Sequence, residues 1–472
     1  MTRPRITLIG AGLVGGLLAT LLAQRGFRVE VFERRPDPRV AGFTGGRSIN
    51  LALAERGLHA LRQAGLNEAV MRQAVMMRGR MVHDRDGRTN LQRYGVDDRE
   101  VIWSVSRGGL NMLLLDAAER AGASLHFGQR LLTADFAAGT IELEDPAGAR
   151  RTHAAGLLLG ADGAGSALRA AIDCVTPLGE RVEPLGHGYK ELEIPPLADF
   201  PAGTLPPALA AARARGERFA LEAHALHIWP RGGYMCIALP NAEGSFTVTL
   251  FLPNTGAHPS FATVRNAAKA RPFFRDDFAD ALELMPAFDV DYDAHPVGAL
   301  ATLYLDRWRL GGQALLLGDA AHAIVPFHGQ GMNAGFEDAA ELAPLLDAEP
   351  GDPAAVFAEF ERRRRPNAEA IAAMAIENYI EMRDAVADPH FLLKRALGEA
   401  LTQRAPRHFK SRYRLVSFTR VPYAYARERG RAQDALLEEL LRGHASLDTL
   451  DMEAAAARVR AELPPLPADA GV

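Results

Sequence analysis

Cysteine is almost missing from this 472-residue chain. Only Cys174 and Cys236 occur, and they form no metal-ligand or redox pattern. Two thiols fit a reducing cytoplasm, which is the expected location. A Cys-x-x-x-x-Cys pair is absent, and so is a second complete Gly-x-Gly-x-x-Gly. A disulfide reductase would normally need both. No sign of charge dominates either: 54 Lys and Arg stand against 58 Asp and Glu, so nothing steers the chain to nucleic acid. Long apolar runs are scarce. The one uncharged stretch of note, residues 6–23, follows Arg3 and Arg5 and could pass for a signal peptide or a membrane span. Glycines at 10, 12, 15 and 16 argue against that, because they fall where a nucleotide-binding turn needs them. No membrane anchor is therefore expected. Repeats and low-complexity linkers are also absent, and the length predicts two or three domains.

What is present is a βαβ opening: strand at 5–9, helix at 13–24, strand at 28–33. Helices are expected at 53–64, 67–73 and 109–120, and a short buried strand at 155–159. After Pro177 the character changes to short alternating runs at 189–194, 226–229, 234–239 and 245–252, separated by turn residues. They read as an antiparallel sheet inserted in the nucleotide-binding domain. The stretch 195–215 reads as a surface loop and short helix. Beyond about Pro344 the pattern is helical, and the tail from Pro464 is expected to be disordered.

The expected fold class is thus α/β. A discontinuous Rossmann-like domain (1–75, 100–178, 295–345) holds the nucleotide. A substrate domain (76–99, 179–294) is inserted in it, a helical region (346–463) covers the pocket, and 464–472 is tail.

Gly10-Ala-Gly12-Leu-Val-Gly15 lies between strand and helix. The first glycine permits the tight turn, the second lets backbone approach a pyrophosphate, and the third lets helix and strand pack closely. Glu33 ends the next strand, where a carboxylate would bind a ribose 2′-hydroxyl and would disfavour a 2′-phosphate. NAD and FAD share this pattern. A second segment, Ala314-Leu-Leu-Leu-Gly-Asp319, is a strand ending in a carboxylate, and a glycine turn at Gly329 and Gly331 then opens a helix. A carboxylate at a strand end can hydrogen-bond a sugar-alcohol chain, and a helix N-terminus can hold an anionic ring. Two such distant contacts need a molecule longer than NAD, which selects FAD.

These segments, with Gly160-Ala-Asp-Gly163 between them, resemble the class A flavoprotein aromatic hydroxylases, which carry all three in this order. Within that class the chain is similar to the kynurenine 3-monooxygenase family, in its soluble bacterial form, from the first strand to about Tyr425. The resemblance is carried by Phe43-Thr-Gly-Gly-Arg-Ser-Ile-Asn-Leu-Ala-Leu53, Met77-Arg-Gly-Arg-Met81, Ser104-Val-Ser-Arg107, Leu226-His-Ile-Trp-Pro-Arg231, residues 318–338 and Asn378-Tyr-Ile-Glu-Met-Arg383.

The resemblance implies FAD contacts from Val14, Phe32, Glu33, Arg34, Arg35, Ala52, Arg107, Leu131, Ala167, Asp319, Met332 and Asn333, with Asp162 near both flavin and nicotinamide. Ala167 departs from the threonine expected at its position. It also implies Arg80, Tyr94, Asn378 and Tyr413 as ligands of an amino-acid tail. Read alone, Arg80 would be a solvated surface arginine. Phe246 or Phe327 is a candidate apolar wall, with core packing an equal alternative. His328, beside the glycine turn, is a candidate for positioning the aromatic ring, and His322 reads as structural. The arginines at 362–365 read as a solvated helix face.

The implied reaction uses NADPH as transient co-substrate and dioxygen. It converts L-kynurenine to 3-hydroxy-L-kynurenine through a flavin hydroperoxide, a step of tryptophan degradation towards quinolinate and NAD. A monomer or homodimer is expected. A hydroxylase of another aromatic substrate, a non-oxygenating FAD reductase and a non-catalytic dinucleotide sensor are the rivals.

Overall fold

The uncharged run at residues 6–23 is divided by its glycines into a buried strand, Ile6–Ile9, and a twelve-residue helix, Leu13–Gln24. The computed structural model describes residues 3–42, 50–201, 203–385 and 388–470, so residues 43–49 of the Phe43 motif lie outside the described residues. Among the described residues no helix is long and apolar enough to cross a membrane.

The chain forms two compact units. The first comprises Met1–Val75, Trp103–Leu185 and Ala299–Ala372. Its six-stranded sheet runs Arg309–Leu310, Ala314–Leu316, Leu157–Gly160, Ile6–Ile9, Val29–Glu33, Ser124–Phe127. All neighbours are parallel except the first pair. The inner strands Ala314–Leu316, Leu157–Gly160 and Ile6–Ile9 are buried along their whole length, as strands of a parallel sheet covered on both faces are. The register Ile9↔Gly160↔Leu316 sets the C-terminal ends of three strands side by side. The three glycine motifs each follow one of those ends. This is where open α/β sheets hold their ligands. A three-stranded sheet, Arg130–Asp135, Thr140–Glu144 and Arg150–Ala154, was not foreseen.

The second unit comprises Met76–Ile102, Gly186–Gly298 and Ala373–Val472. Its sheet includes Phe246–Pro253, Met235–Pro240, Ala225–Pro230, Gly79–His83 and Thr89–Arg93 in that spatial order. Neighbours joined by short turns are antiparallel, as expected, but Ala225–Pro230 pairs parallel to Gly79–His83. Those two strands are separated by a long excursion of chain, and only a hairpin obliges the antiparallel sense. Helices Ala267–Asp277 and Phe288–Ala294 add Phe273, Phe274, Phe288 and Tyr292 to this unit's core; the strand pattern did not announce them.

The C-terminal helices Pro389–Arg404, Tyr423–Leu441 and Met452–Glu462 make their own apolar cluster, including Leu401, Phe409, Leu440 and Val459. The tail corrects the expectation of disorder. Leu466 N donates to Arg407 O, Lys410 Nζ donates to Ala470 O, and Leu466 and Ala470 are buried. Two apolar side chains in a proline-rich end suffice to dock it.

Candidate active site

In the first unit the glycine turn separates into positions the protein demands and one it does not. Gly10 has φ +99°, and a Cβ there would lie 2.5 Å from the Ala161 carbonyl oxygen. A Cβ on Gly15 would lie 2.0 Å from the Gly10 carbonyl oxygen. A Cβ on Gly12 would meet no atom within 4 Å. Packing therefore explains Gly10 and Gly15, whereas Gly12 faces open space, as the close approach of a pyrophosphate requires. The helix that starts here has no side-chain cap and no acid in its first turn, so its N–H groups are free for an anion.

Glu33 accepts from Ala11 N and Arg35 N, each at 2.9 Å. Both carboxylate oxygens keep further lone pairs for a ribose hydroxyl. Arg34 and Arg35 are exposed beyond it, while Phe32 is fully buried and stacks on His126. Arg107 is exposed at the first position of a helix capped by Ser106, and Leu131 is buried at the edge of the three-stranded sheet.

The second motif locks onto the first through Val14. A Cβ on Gly318 would come within 3.1 Å of Val14 Cγ2, and one on Gly335 within 2.6 Å. Asp319 is exposed just past the Ala314–Leu316 strand. Asn333 is fully buried and its amide is occupied: Oδ1 accepts from Ala54 N, and Nδ2 donates to Ala52 O and Gly329 O. Only its backbone, with that of half-buried Met332, faces outward from the helix start. Asp162 is likewise turned inward, accepting from Ser166 Oγ at 2.6 Å, Ala167 N at 2.7 Å and Leu168 N at 3.2 Å. Burial raises its carboxyl above the usual value. Its side chain fastens the Ala167–Val175 helix, and Gly163 and Ala164 form the surface beyond. His328 and Phe327 are buried in the Pro326–His328 turn ahead of Gly329.

Beneath this motif lies an ion network that local pattern did not reveal. Buried Arg364 donates to Asp338 Oδ1 at 2.7 Å and Glu337 Oε2 at 2.6 Å. Asp338 also accepts from Gly318 N, and its Oδ2 lies 2.6 Å from His322 Nε2, which gives His322 the structural role expected. Arg56 pairs with Glu337 from the other side. Burial opposes the charge on Asp338, but His322, Arg364 and the Gly318 N–H outweigh it and hold the carboxyl at about 2. The solvated-face reading of residues 362–365 is thus corrected for one arginine in four. Arg362 and Arg363 pair with Glu359 at the surface, but Arg364 points inward.

The second unit brings together Arg80, Tyr94, Asn378 and Tyr413 from a strand, a loop and two helices. Arg80 is 7% exposed, and its guanidinium carbon lies 5.8 Å from the Tyr94 ring centre and 5.1 Å from that of Tyr413. The two rings stack at 5.1 Å, 15° from parallel. Arg80 Nη2 approaches Asn378 Oδ1 at 3.4 Å, and Asn378 Nδ2 approaches Met382 Sδ at 3.2 Å. Glu381, which the sequence did not single out, stands 3.5 Å from Arg80 Nη1. Burial works against the guanidinium's charge, but Tyr413, Tyr94 and Glu381 outweigh it, so the arginine stays charged. Burial pushes the Tyr94 phenol well above its ordinary value and raises that of Tyr413, so both remain neutral donors. One permanent cation flanked by neutral hydroxyl and amide groups suits a carboxylate. Phe246 does not join them. It is fully buried in the unit's core against Phe219 and His227, a packing residue rather than a pocket wall.

The FAD binding domain family matches residues 4–231 and 253–375. The kynurenine 3-monooxygenase of Stenotrophomonas maltophilia is 54% identical over 462 residues, 98% of this chain and 97% of that protein. The chain belongs to the kynurenine 3-monooxygenase family. The enzyme of that name from Xanthomonas axonopodis pv. citri is 55% identical over 463 residues, with the same coverage.

Among solved structures, 2-methyl-3-hydroxypyridine-5-carboxylic acid oxygenase superposes with a TM-score of 0.63 at 20% identity, covering 83% of this chain and 96% of that one. Pseudomonas aeruginosa PqsL in complex with 2-aminobenzoylacetate gives 0.61 at 21%, covering 81% and 97%. These two likenesses establish the fold.

For a kynurenine 3-monooxygenase fold, the open space at Gly12 makes a clean test. Gly12→Ala is expected to fold normally and bind FAD about tenfold more weakly, the loss of one charge-assisted contact. Gly10→Ala is expected to fail to fold, because strain and clash coincide. Flavin titration of apoprotein beside circular dichroism separates the two, and equal behaviour of both variants would remove Gly12 from the pyrophosphate site.

Proposed function

We propose that the chain hydroxylates L-kynurenine at ring carbon 3, yielding 3-hydroxy-L-kynurenine, with NADPH as electron donor and dioxygen as oxygen source. The observation that carries this reading is the convergence of Arg80, Tyr94, Asn378 and Tyr413. An amino-acid carboxylate needs such a set; a simple phenol does not. Arg80 grips the carboxylate with its guanidinium fork, and the phenol hydroxyls and the Asn378 amide complete it. Glu381 supplies the opposite charge for the α-ammonium group.

Glu33, Gly12, the exposed Asp319 and the backbone at Met332 and Asn333 would hold FAD, with Arg34, Arg35, Ala52, Arg107, Leu131 and Ala167 around it. Bound FAD supplies the acceptor for hydride and the activation of dioxygen. The protein's own residues need provide no strong base, because the substrate's aromatic amine already enriches the ring carbon beside it. Their work is placement and exclusion of water. His328, buried beside the glycine turn, is assigned to ring positioning. The helices bearing Asn378 and Tyr413 are assigned to the cover.

The test is NADPH oxidation with and without L-kynurenine, with product mass measured. Strong stimulation and a product heavier by one oxygen atom are expected. Stimulation with hydrogen peroxide alone would make kynurenine an effector, and no oxygen uptake would make the protein a reductase.

A further inference from the structure

Beside the polar pocket, three guanidinium groups face one carboxylate, from the two helices that carry Asn378 and Tyr413 and from the helix Tyr423–Leu441 that follows them. Glu377 precedes Asn378, and Arg412 precedes Tyr413. Arg412 donates to Glu377 Oε2, while Arg427 Nη2 and Arg431 Nη2 each stand 3.6 Å from Glu377 Oε1, beyond hydrogen-bond length. Three positive charges against one negative leave an excess of two. Arg427 Nε is moreover buried with no acceptor. The cluster is also built. Gly430 stands within the Tyr423–Leu441 helix, where a Cβ would come within 2.7 Å of Arg412 Cδ. A glycine weakens a helix interior, and here it makes room for the stem of Arg412. The arginine side chains are partly open to solvent, 27% for Arg412, 30% for Arg427 and 61% for Arg431.

Two other well-paired arginines show the opposite balance, with more carboxylates than guanidiniums. Arg39 faces Asp37, Asp116 and Glu119, and Arg364 faces Asp338 and Glu337. The cluster around Glu377 lacks roughly the charge that a phosphate monoester carries, about −1.5 to −2 at neutral pH. Its forks suit phosphate oxygens.

We propose that Arg412, Arg427 and Arg431 bind the 2′-phosphate of NADPH. The proposal rests on the donor assigned under the proposed function. The chain has no second dinucleotide-binding motif, and Glu33 disfavours a 2′-phosphate at the first, so the donor's phosphate needs a separate anion site. Glu377 serves as the internal anion that orients the guanidiniums, and a phosphate would meet the two that it leaves without a hydrogen bond.

The test compares NADPH with NADH on the FAD-loaded enzyme. For Arg427→Ala combined with Arg431→Ala, KM for NADPH is expected to rise about tenfold more than KM for NADH, the loss of charge-assisted contacts that only the phosphate makes. Arg431→Ala alone, at an exposed position, is expected to show the same bias more weakly and guards against misfolding. Adenosine 2′,5′-bisphosphate is expected to compete with NADPH in the wild type and to lose that effect in the double variant. Equal changes for both nucleotides, or none, overturn the proposal. So does inhibition by inorganic phosphate as strong as that by the bisphosphate with the nucleotide preference unmoved, which would mark a free-anion site. Kynurenine-dependent product formation by the wild type reports separately on the underlying function.

Discussion

Arg80→Ala lowers kcat/KM for L-kynurenine by roughly 100- to 1000-fold, about 3–4 kcal/mol, while the protein keeps its FAD. Two losses add up. The carboxylate loses its charge-assisted fork, and it must still be desolvated against the two phenols with no cation to meet it. Arg80 sits at 7% exposure beside the stacked Tyr94 and Tyr413 rings, so bulk water cannot replace it. The glycine turns and Asp319 all lie in the other unit, which is why flavin content is expected to hold. Arg80→Lys recovers only part of the activity, because a single ammonium cannot offer two parallel donors. Steady-state kinetics with the flavin absorbance of the purified variant decide the matter. A kcat/KM within threefold of the wild type would remove Arg80 from the carboxylate site.

Arg364→Ala is expected to cost about 3–5 kcal/mol and to strip much of the flavin. Its removal leaves Asp338 buried with His322 as its remaining side-chain partner and leaves Glu337 to Arg56 alone. Asp338 also holds the Gly318 N–H, so the turn that bears Asp319 loosens with it. A melting temperature about 10 °C lower is the expected readout. Adding Asp338→Asn to an Arg364→Met variant should recover part of that loss, since the stranded charge is gone. Unchanged melting and full flavin content in Arg364→Ala would show that the carboxylates are satisfied without it.

The same network fixes an acid limit. The carboxyl of Asp338 is held at about 2 against an ordinary 3.8. Its contribution is therefore complete above about pH 3.8 and is lost as pH falls through 2.

Arg364 also shows where reading by pattern failed. Four consecutive arginines with Glu359 and Glu361 nearby satisfy every local rule for a solvated face, and Arg362 and Arg363 obey it. Arg364 differs only because its helix docks on Gly331–Ala348, which supplies two carboxylates from 26 and 27 residues away. Phe246 failed in the opposite sense: an aromatic on the inserted sheet can face a ligand or a core, and only the helices packed against it decide which.

Local chemistry was enough for the nucleotide turn. The spacing Gly10, Gly12, Gly15 and the acid at Glu33 belong to one βαβ unit, and only the packing of Gly10 against Ala161 reaches far beyond it. The sequence therefore determined the strand–turn–helix and the carboxylate at the end of the strand that follows it. Tertiary structure alone decided the rest. It set the ends of three strands side by side, turned the Asn333 amide inward, buried Arg364, and added Glu381 to the pocket of Arg80, Tyr94, Asn378 and Tyr413. Those contacts join segments 26 residues apart, for Arg364 and Asp338, and 298 apart, for Arg80 and Asn378, and a side chain's own neighbours in sequence carry no record of that.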